Sequence, residues 1–415
     1  MFTLTKHRII GCQSKDEQSD LSAKRTTARR MNHDTASPHM KFTKALVSFL
    51  VALACASGVL LARNRNENQI ALSQPLTIRW RYNCDQTSNL TPAADANLIY
   101  VPLAGGVLVS LSVADGKLSW KAETGGAFSA APVVDERSVF AAGQFAEPEQ
   151  GHVHGTLRAL SKPTGVTLWM RTLPAPLKGG LGANDRALFA GSIDGRVYAF
   201  DKRTGLTLWI TQFAEGLSSQ PALSNDTVYF GGDNGSLMAL DQKTGQLSWY
   251  YRAHGPIRGP IVLNGGAIYF GSSDGYVYAL SELQHKLLWR WRTGAAVQSV
   301  AVVDGGLLAA SLDNFAYLLS RSKGSLIWRR LLPGRISSQP ITASDGALFT
   351  PLSSDSAIVL NLRDGKPANA LALGEENSSS AAPVAANDLV LITTTHGLLA
   401  FARPQPKVPV AAPDD

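Results

Sequence analysis

Seven tryptophans stand at Trp80, Trp120, Trp169, Trp209, Trp249, Trp289 and Trp328, separated by 40, 49, 40, 40, 40 and 39 residues. A fixed period of this size marks a chain built from stacked copies of one small unit, none able to bury its apolar face alone. Glycine precedes most of these tryptophans by four residues, at Gly116, Gly165, Gly205, Gly245 and Gly324, and His285 takes that place before Trp289. Gly365 continues the series, where the aromatic position falls on Asn369.

One unit, residues 221–251, defines the secondary structure. A short apolar segment, a turn at Asn225-Asp226 and the run Thr227 to Gly231 read as a hairpin. Asp233, Asn234 and Gly235 turn the chain again into Ser236 to Asp241, and Lys243-Thr244-Gly245 into Gln246 to Tyr251. Turns of Asx and Gly supply the positive φ angles of tight hairpins, and the Val, Tyr and Phe between them favour strands. Four strands in one 40-residue unit predict a propeller blade.

The termini predict how the ring closes. Trp80 lies in a fourth strand with no first three before it, and residues 382–402 supply three strands with no fourth. Joined, they complete one blade. The prediction is an all-β, eight-bladed propeller of four-stranded antiparallel blades over residues 74–403, its last blade completed by the N-terminal strand.

Several recurrent residues then have structural roles. Pro92, Pro132, Pro221, Pro260, Pro340 and Pro383 open first strands, where proline removes no interior ladder bond. The tryptophans are expected to pack between blades. Arg81, Lys121, Arg171, Arg252, Arg290 and Arg329 fall on outer strands and discourage edge-to-edge pairing. Asp194, Asp233, Asp274 and Asp313 recur with the unit and read as turn formers.

Charge separates a leader from the body. The net charge is +7, but residues 1–62 hold nine Lys/Arg against four Asp/Glu, leaving 30 against 28 for the rest. A body so near neutrality has no broad footprint for nucleic acid. Residues 1–39 are polar and basic, and read as a disordered leader or an extension upstream of a start at Met40. Lys41 and Lys44 introduce an uncharged apolar run over residues 45–62. Residues 40–62 therefore read as an export signal or a membrane anchor, and Cys55 as a possible lipidation site behind a poor lipobox, Ala52-Leu53-Ala54. Residues 63–73 read as a linker and residues 404–415 as a proline-rich tail. With three cysteines in all, no internal disulfide is expected.

The stretches Asp194 to Trp209 and Asp233 to Trp249 resemble the PQQ-like propeller repeat, and the likeness covers residues 74–403. That repeat is found in quinoprotein dehydrogenases and in noncatalytic propellers. The length, the closing strand and the C-terminal pattern are most similar to the BamB family of outer-membrane assembly factors. The resemblance implies an exported, periplasmic or membrane-anchored scaffold that binds a BamA-type protein through two loops. Those loops match residues 215–221 and 254–260, which makes Leu217, Ser218, Gln220, His254, Ile257 and Arg258 the candidate partner-binding residues. The first loop lacks the family's arginine and the second its carboxylates, while Arg258 brings the opposite charge. The alternatives are a quinone-binding redox propeller and an anchored sensor or adaptor.

No catalytic constellation is apparent. There are no adjacent cysteines of the quinoprotein type, no Gly-x-Ser-x-Gly elbow and no His-Glu-x-x-His. No enzymatic activity and no cofactor are therefore expected, PQQ included. The second unit carries nine extra residues with His152 and His154, candidate metal ligands alongside Glu147 or Glu149, although solvated loop histidines are far commoner. His285 reads as a tolerated turn variant.

Overall fold

The computed structural model describes residues 70–147, 151–374 and 377–404. The leader, the apolar run with Cys55, Glu149 and the tail beyond Pro404 lie outside these residues. Among the described residues no helix is long and apolar enough to cross a membrane.

The described residues all fall in one compact unit. Its strands make eight antiparallel sheets, numbered as blades 1–8: residues 93–123, 127–173, 177–212, 222–252, 262–292, 297–331, 341–372, and 384–402 with 77–83. In blade 2 the innermost strand is split, and Ala127–Phe128 and Val133–Val134 both pair with Ser138–Ala146. Blade 8 closes as the sequence predicts: Thr77–Asn83 pairs with Gly397–Ala402, setting Trp80 opposite Ala400 and Ile78 opposite Phe401. Closure by strand exchange leaves no open blade and joins the two termini in one sheet.

Each apolar cluster spans two neighbouring blades, as where Phe140 and Trp169 of blade 2 meet Leu188, Tyr198 and Phe200 of blade 3. The tryptophans organise these seams. Six of the seven, all but the half-buried Trp249, are nearly buried and donate the indole N–H to a turn carbonyl of the next blade, as Trp120 does to Lys162 at 2.8 Å, Trp169 to Lys202 at 2.9 Å and Trp209 to Gln242 at 2.9 Å. The glycine four residues before a tryptophan packs on the tryptophan of the preceding blade. A Cβ on Gly205 would lie 2.5 Å from Cε3 of Trp169. His285 fills that place with φ +56° and stacks on Trp249 at 4.5 Å.

One regularity is invisible in the spacing. In all eight blades the register of the fourth strand slips at the residue before the tryptophan position, a β-bulge. The bulge bends the outer strand and re-aims the tryptophan toward the next blade. It also turns Leu168, Leu208, Leu288 and Ile327 outward, where they are exposed.

The linker expected at residues 63–73 ends earlier. Leu72 is fully buried against blades 7 and 8, so residues 70–73 belong to the folded body.

Candidate functional site

Antiparallel blades give the ring two different ends. The connections between blades and the turns between second and third strands share one end, the loop end. The other, the turn end, carries the remaining hairpins and both termini of the described ring.

The loops leading into blades 4 and 5 lie at the loop end, and their six candidate residues divide into two groups. Leu217 and Ile257 are fully buried and occupy a position repeated around the ring by Leu177, Val297 and Ile336. Their backbone N–H groups tie down the loops: Leu217 donates to Ser192 O at 3.0 Å, Ile257 to Gly232 O at 3.1 Å and Val297 to Ser272 O at 3.1 Å. Burial in a seam removes Leu217 and Ile257 from any contact surface, and they are loop anchors. Gln220, His254 and Arg258 are exposed, while Ser218 is buried with its hydroxyl engaged.

That hydroxyl leads to a residue whose role the repeat conceals. The turn position shared by the blades is filled by Asp194, Asn234, Asp274 and Asp313. Each Oδ1 accepts the N–H two residues on, at 3.2, 2.9, 2.9 and 3.0 Å. Asp233 sits one place earlier and is not a repeat turn former, because Asn234 has taken that role. Its carboxylate is free to join two loops: Oδ2 accepts from Ser218 Oγ at 2.9 Å, and Oδ1 from Arg258 Nε at 3.1 Å. The blade 4 and blade 5 loops are thus braced through one side chain outside the pattern. The signal available in the sequence was the register: Asp233 lies two residues before Gly235, whereas Asp194 and Asp274 stand directly before Gly195 and Gly275.

The other turn carboxylates are also engaged. Asp274 accepts from the His254 N–H at 3.1 Å and Tyr278 OH at 2.7 Å, and Asp313 from the Gly294 N–H at 2.7 Å and Tyr317 OH at 2.6 Å. Burial, reinforced by the Asp313 hydrogen bond, pushes the Tyr317 phenol up to about 12.

Beside Asp233, a pocket of about 210 Å³ opens between the blade 4 loop and its outer strand, lined by Phe213, Glu215, Gly232, Asn234, Met238 and Tyr250. Tyr250 is 64% exposed at its rim. Apolar walls with a carboxylate at the mouth suit an inserted side chain of a protein partner. A wider groove of about 910 Å³ at the turn end runs between blades 2 and 3 and is lined by hairpin turns of mixed charge, among them Arg137, Arg186 and Asp201.

The histidine pair is not brought together as a ligand set. His154 sits 3.4 Å from Glu147 and stacks on Phe145 at 5.5 Å, whereas His152 is exposed just before the strand begins. Among the described residues no three His, Cys, Asp or Glu side chains are grouped to hold a metal ion.

Fold and repeat together define an eight-bladed propeller of the PQQ-repeat class. The sequence profile of the family described as outer membrane protein assembly factor BamB matches residues 34–151, 153–258 and 253–413. The chain belongs to this family. No curated protein matches it in sequence. Among solved structures, BamB from Moraxella catarrhalis superposes with a TM-score of 0.67 at 17% identity, over 79% of this chain and 97% of that one. The computationally designed Ika8 protein gives 0.68 at 13% identity, over 78% and 99%. Quinohemoprotein alcohol dehydrogenase ADHIIG from Pseudomonas putida HK5 gives 0.66 at 12% identity, over 82% and 78%. At such identities these likenesses speak for the fold.

Proposed function

We propose that this chain is a noncatalytic, exported scaffold, attached to a membrane and facing the periplasm, that docks a BamA-type protein in outer-membrane β-barrel assembly. The observation that carries this reading is the bracing of the blade 4 and blade 5 loops by Asp233. A rigid pair of loops beside a small pocket offers a partner a preformed surface, with little ordering cost on binding. Glu215, Gln220, His254 and Arg258 are its accessible polar residues, and Tyr250 is its aromatic anchor.

The dehydrogenase likeness keeps a second reading in view, a redox propeller holding PQQ with calcium. The residues present do not suit that group. Hard cations take several carboxylate and carbonyl oxygens, and here Asp274, Asp313 and Asp233 are engaged by backbone, tyrosine, serine and arginine donors. The reading therefore assigns no cofactor and no catalytic residue.

Affinity capture from detergent-solubilised host membranes tests the assembly role. The BamA homologue is expected to co-purify with the full chain and to be lost with Arg258→Glu or Tyr250→Ala. Failure of the well-folded wild-type chain to retain it removes the role. Dye reduction dependent on added PQQ and calcium would establish the redox reading instead.

A further inference from the structure

Blades 4, 5 and 6 share one register between their third and fourth strands, in which Met238 pairs with Tyr250, Tyr278 with Arg290 and Tyr317 with Arg329. Their third strands open on Ser236, Tyr276 and Phe315. In blades 5 and 6 the outer-strand arginine lies over the ring that opens the third strand. The Arg290 guanidinium is 4.9 Å from the Tyr276 ring centroid, and that of Arg329 is 5.3 Å from the Phe315 centroid. Each of these blades therefore supplies both halves of a cation–aromatic pair.

Blade 4 breaks this arrangement at three equivalent places. Ser236 stands where the ring would be, Met238 stands where the tyrosines bonded to Asp274 and Asp313 would be, and Tyr250 replaces the arginine. All three line the pocket of about 210 Å³ beside Asp233, so the pocket is made by the departures from the repeat. A serine in place of a ring opens the space, and the unbranched Met238 adapts to its shape. Among the described residues no cation lies over the Tyr250 ring, and Glu215 at the mouth forms no ion pair. Arg258 is nearby but is committed to Asp233 at 3.1 Å.

The chemistry of the walls selects the guest. An apolar side chain would match Phe213, Met238 and Leu247 but strip water from the Glu215 carboxylate without replacing it. An acidic one would meet a like charge. A long cationic side chain satisfies both parts, since its stem covers apolar surface while its head stays polar. A planar guanidinium also stacks on an aromatic face and binds a carboxylate with two parallel hydrogen bonds, which an ammonium does not. The volume is below the roughly 300 Å³ at which small-molecule sites begin, and suits one side chain.

We propose that the blade 4 pocket receives an arginine side chain of the protein partner, which completes from outside the cation–aromatic pair that blades 5 and 6 make internally. This rests on the reading that the blade 4 and blade 5 loops dock a protein, and it adds the charge that the partner brings to the contact.

The probe is the capped tripeptide Gly-Arg-Gly, titrated into the full chain in detergent micelles with isotope-labelled methionine methyl groups. The Met238 methyl resonance, assigned with Met238→Leu, is expected to shift saturably. The citrulline counterpart, of the same shape without the charge, is expected to bind at least about fivefold more weakly. Glu215→Gln and Tyr250→Leu, with unchanged circular dichroism, should each weaken the arginine peptide by about twofold or more. Ser236→Tyr combined with Tyr250→Arg installs in blade 4 the pair that blade 5 already holds, and should abolish binding. Absence of a saturable shift, equal binding of the two peptides, or undiminished binding in both single variants overturns the assignment. Peptide discrimination without capture of a BamA homologue upholds the pocket and removes the assembly role, whereas capture without discrimination removes the pocket's assignment and leaves that role.

Discussion

Replacing Gly245 by alanine isolates the contact that holds adjacent blades together. Gly245 has φ +72°, and a Cβ there would meet Trp209 Cε3 at 2.5 Å, Cδ2 at 2.6 Å and Thr211 Oγ1 at 2.8 Å. Two costs are expected. Holding an L-residue in the left-handed region costs about 1 kcal/mol. Forcing a methyl into the indole adds about 1–3 kcal/mol of overpacking. Gly265, at φ +59° with nothing within 4 Å of where an alanine methyl would lie, is the control for the first cost alone. Gly265→Ala should therefore lose about 1 kcal/mol and Gly245→Ala about 2–4 kcal/mol. Urea unfolding followed by tryptophan fluorescence reads both, compared at matched m-values. Equal losses would show that backbone conformation, not the indole, selects glycine, and the account of the seams would fail.

Three further outcomes follow from the same contacts. Trp169→Phe removes the N–H donated to Lys202 O at 2.9 Å across a part-buried seam, so a loss of about 0.5–1.5 kcal/mol from the bond is expected in urea, and an unchanged midpoint would refute the bond's contribution. Asp345 is ionised more readily in the folded chain than in the unfolded one, so its stabilisation is present above the unfolded carboxyl pKa and lost as pH falls through the lowered folded value. The wild type minus Asp345→Asn stability difference should then shrink on acidification, and a pH-independent difference would contradict a stabilising role for the bonds Asp345 accepts from Leu72 and Ser73. Tyr317, pushed up to about 12 from the ordinary phenol value of 10.0, stays protonated while the unfolded phenol ionises. Stability should fall as pH rises from 10 toward 12, less steeply in Tyr317→Phe, and parallel alkaline unfolding curves would refute this.

Much of the ring was legible because its determinants are local and repeated. Asx-Gly turns and β-branched runs define each hairpin within a few residues, and eight copies reinforce one reading. The site was less legible for the same reason. Periodicity assigned Asp233 to a turn series that Asn234 in fact continues, and the family resemblance offered Leu217 and Ile257 as contact residues when each fills a seam. Side chains that depart from a repeat can be found only by knowing what they touch. Asp233 and Ser218 are 15 residues apart in sequence, and Asp345 and Ser73 are 272 apart.

The sequence by itself determined the blade, the number of blades and the pairing of the two termini, since these follow from strand-forming runs, turn chemistry and counting. Only the tertiary structure decided that each glycine lies beneath the tryptophan of the blade before it, that a bulge aims that tryptophan, and that residues 70–73 are clamped at the turn end. These depend on how one blade meets the next across a seam. Spacing along a chain carries the period of such a seam but not its geometry.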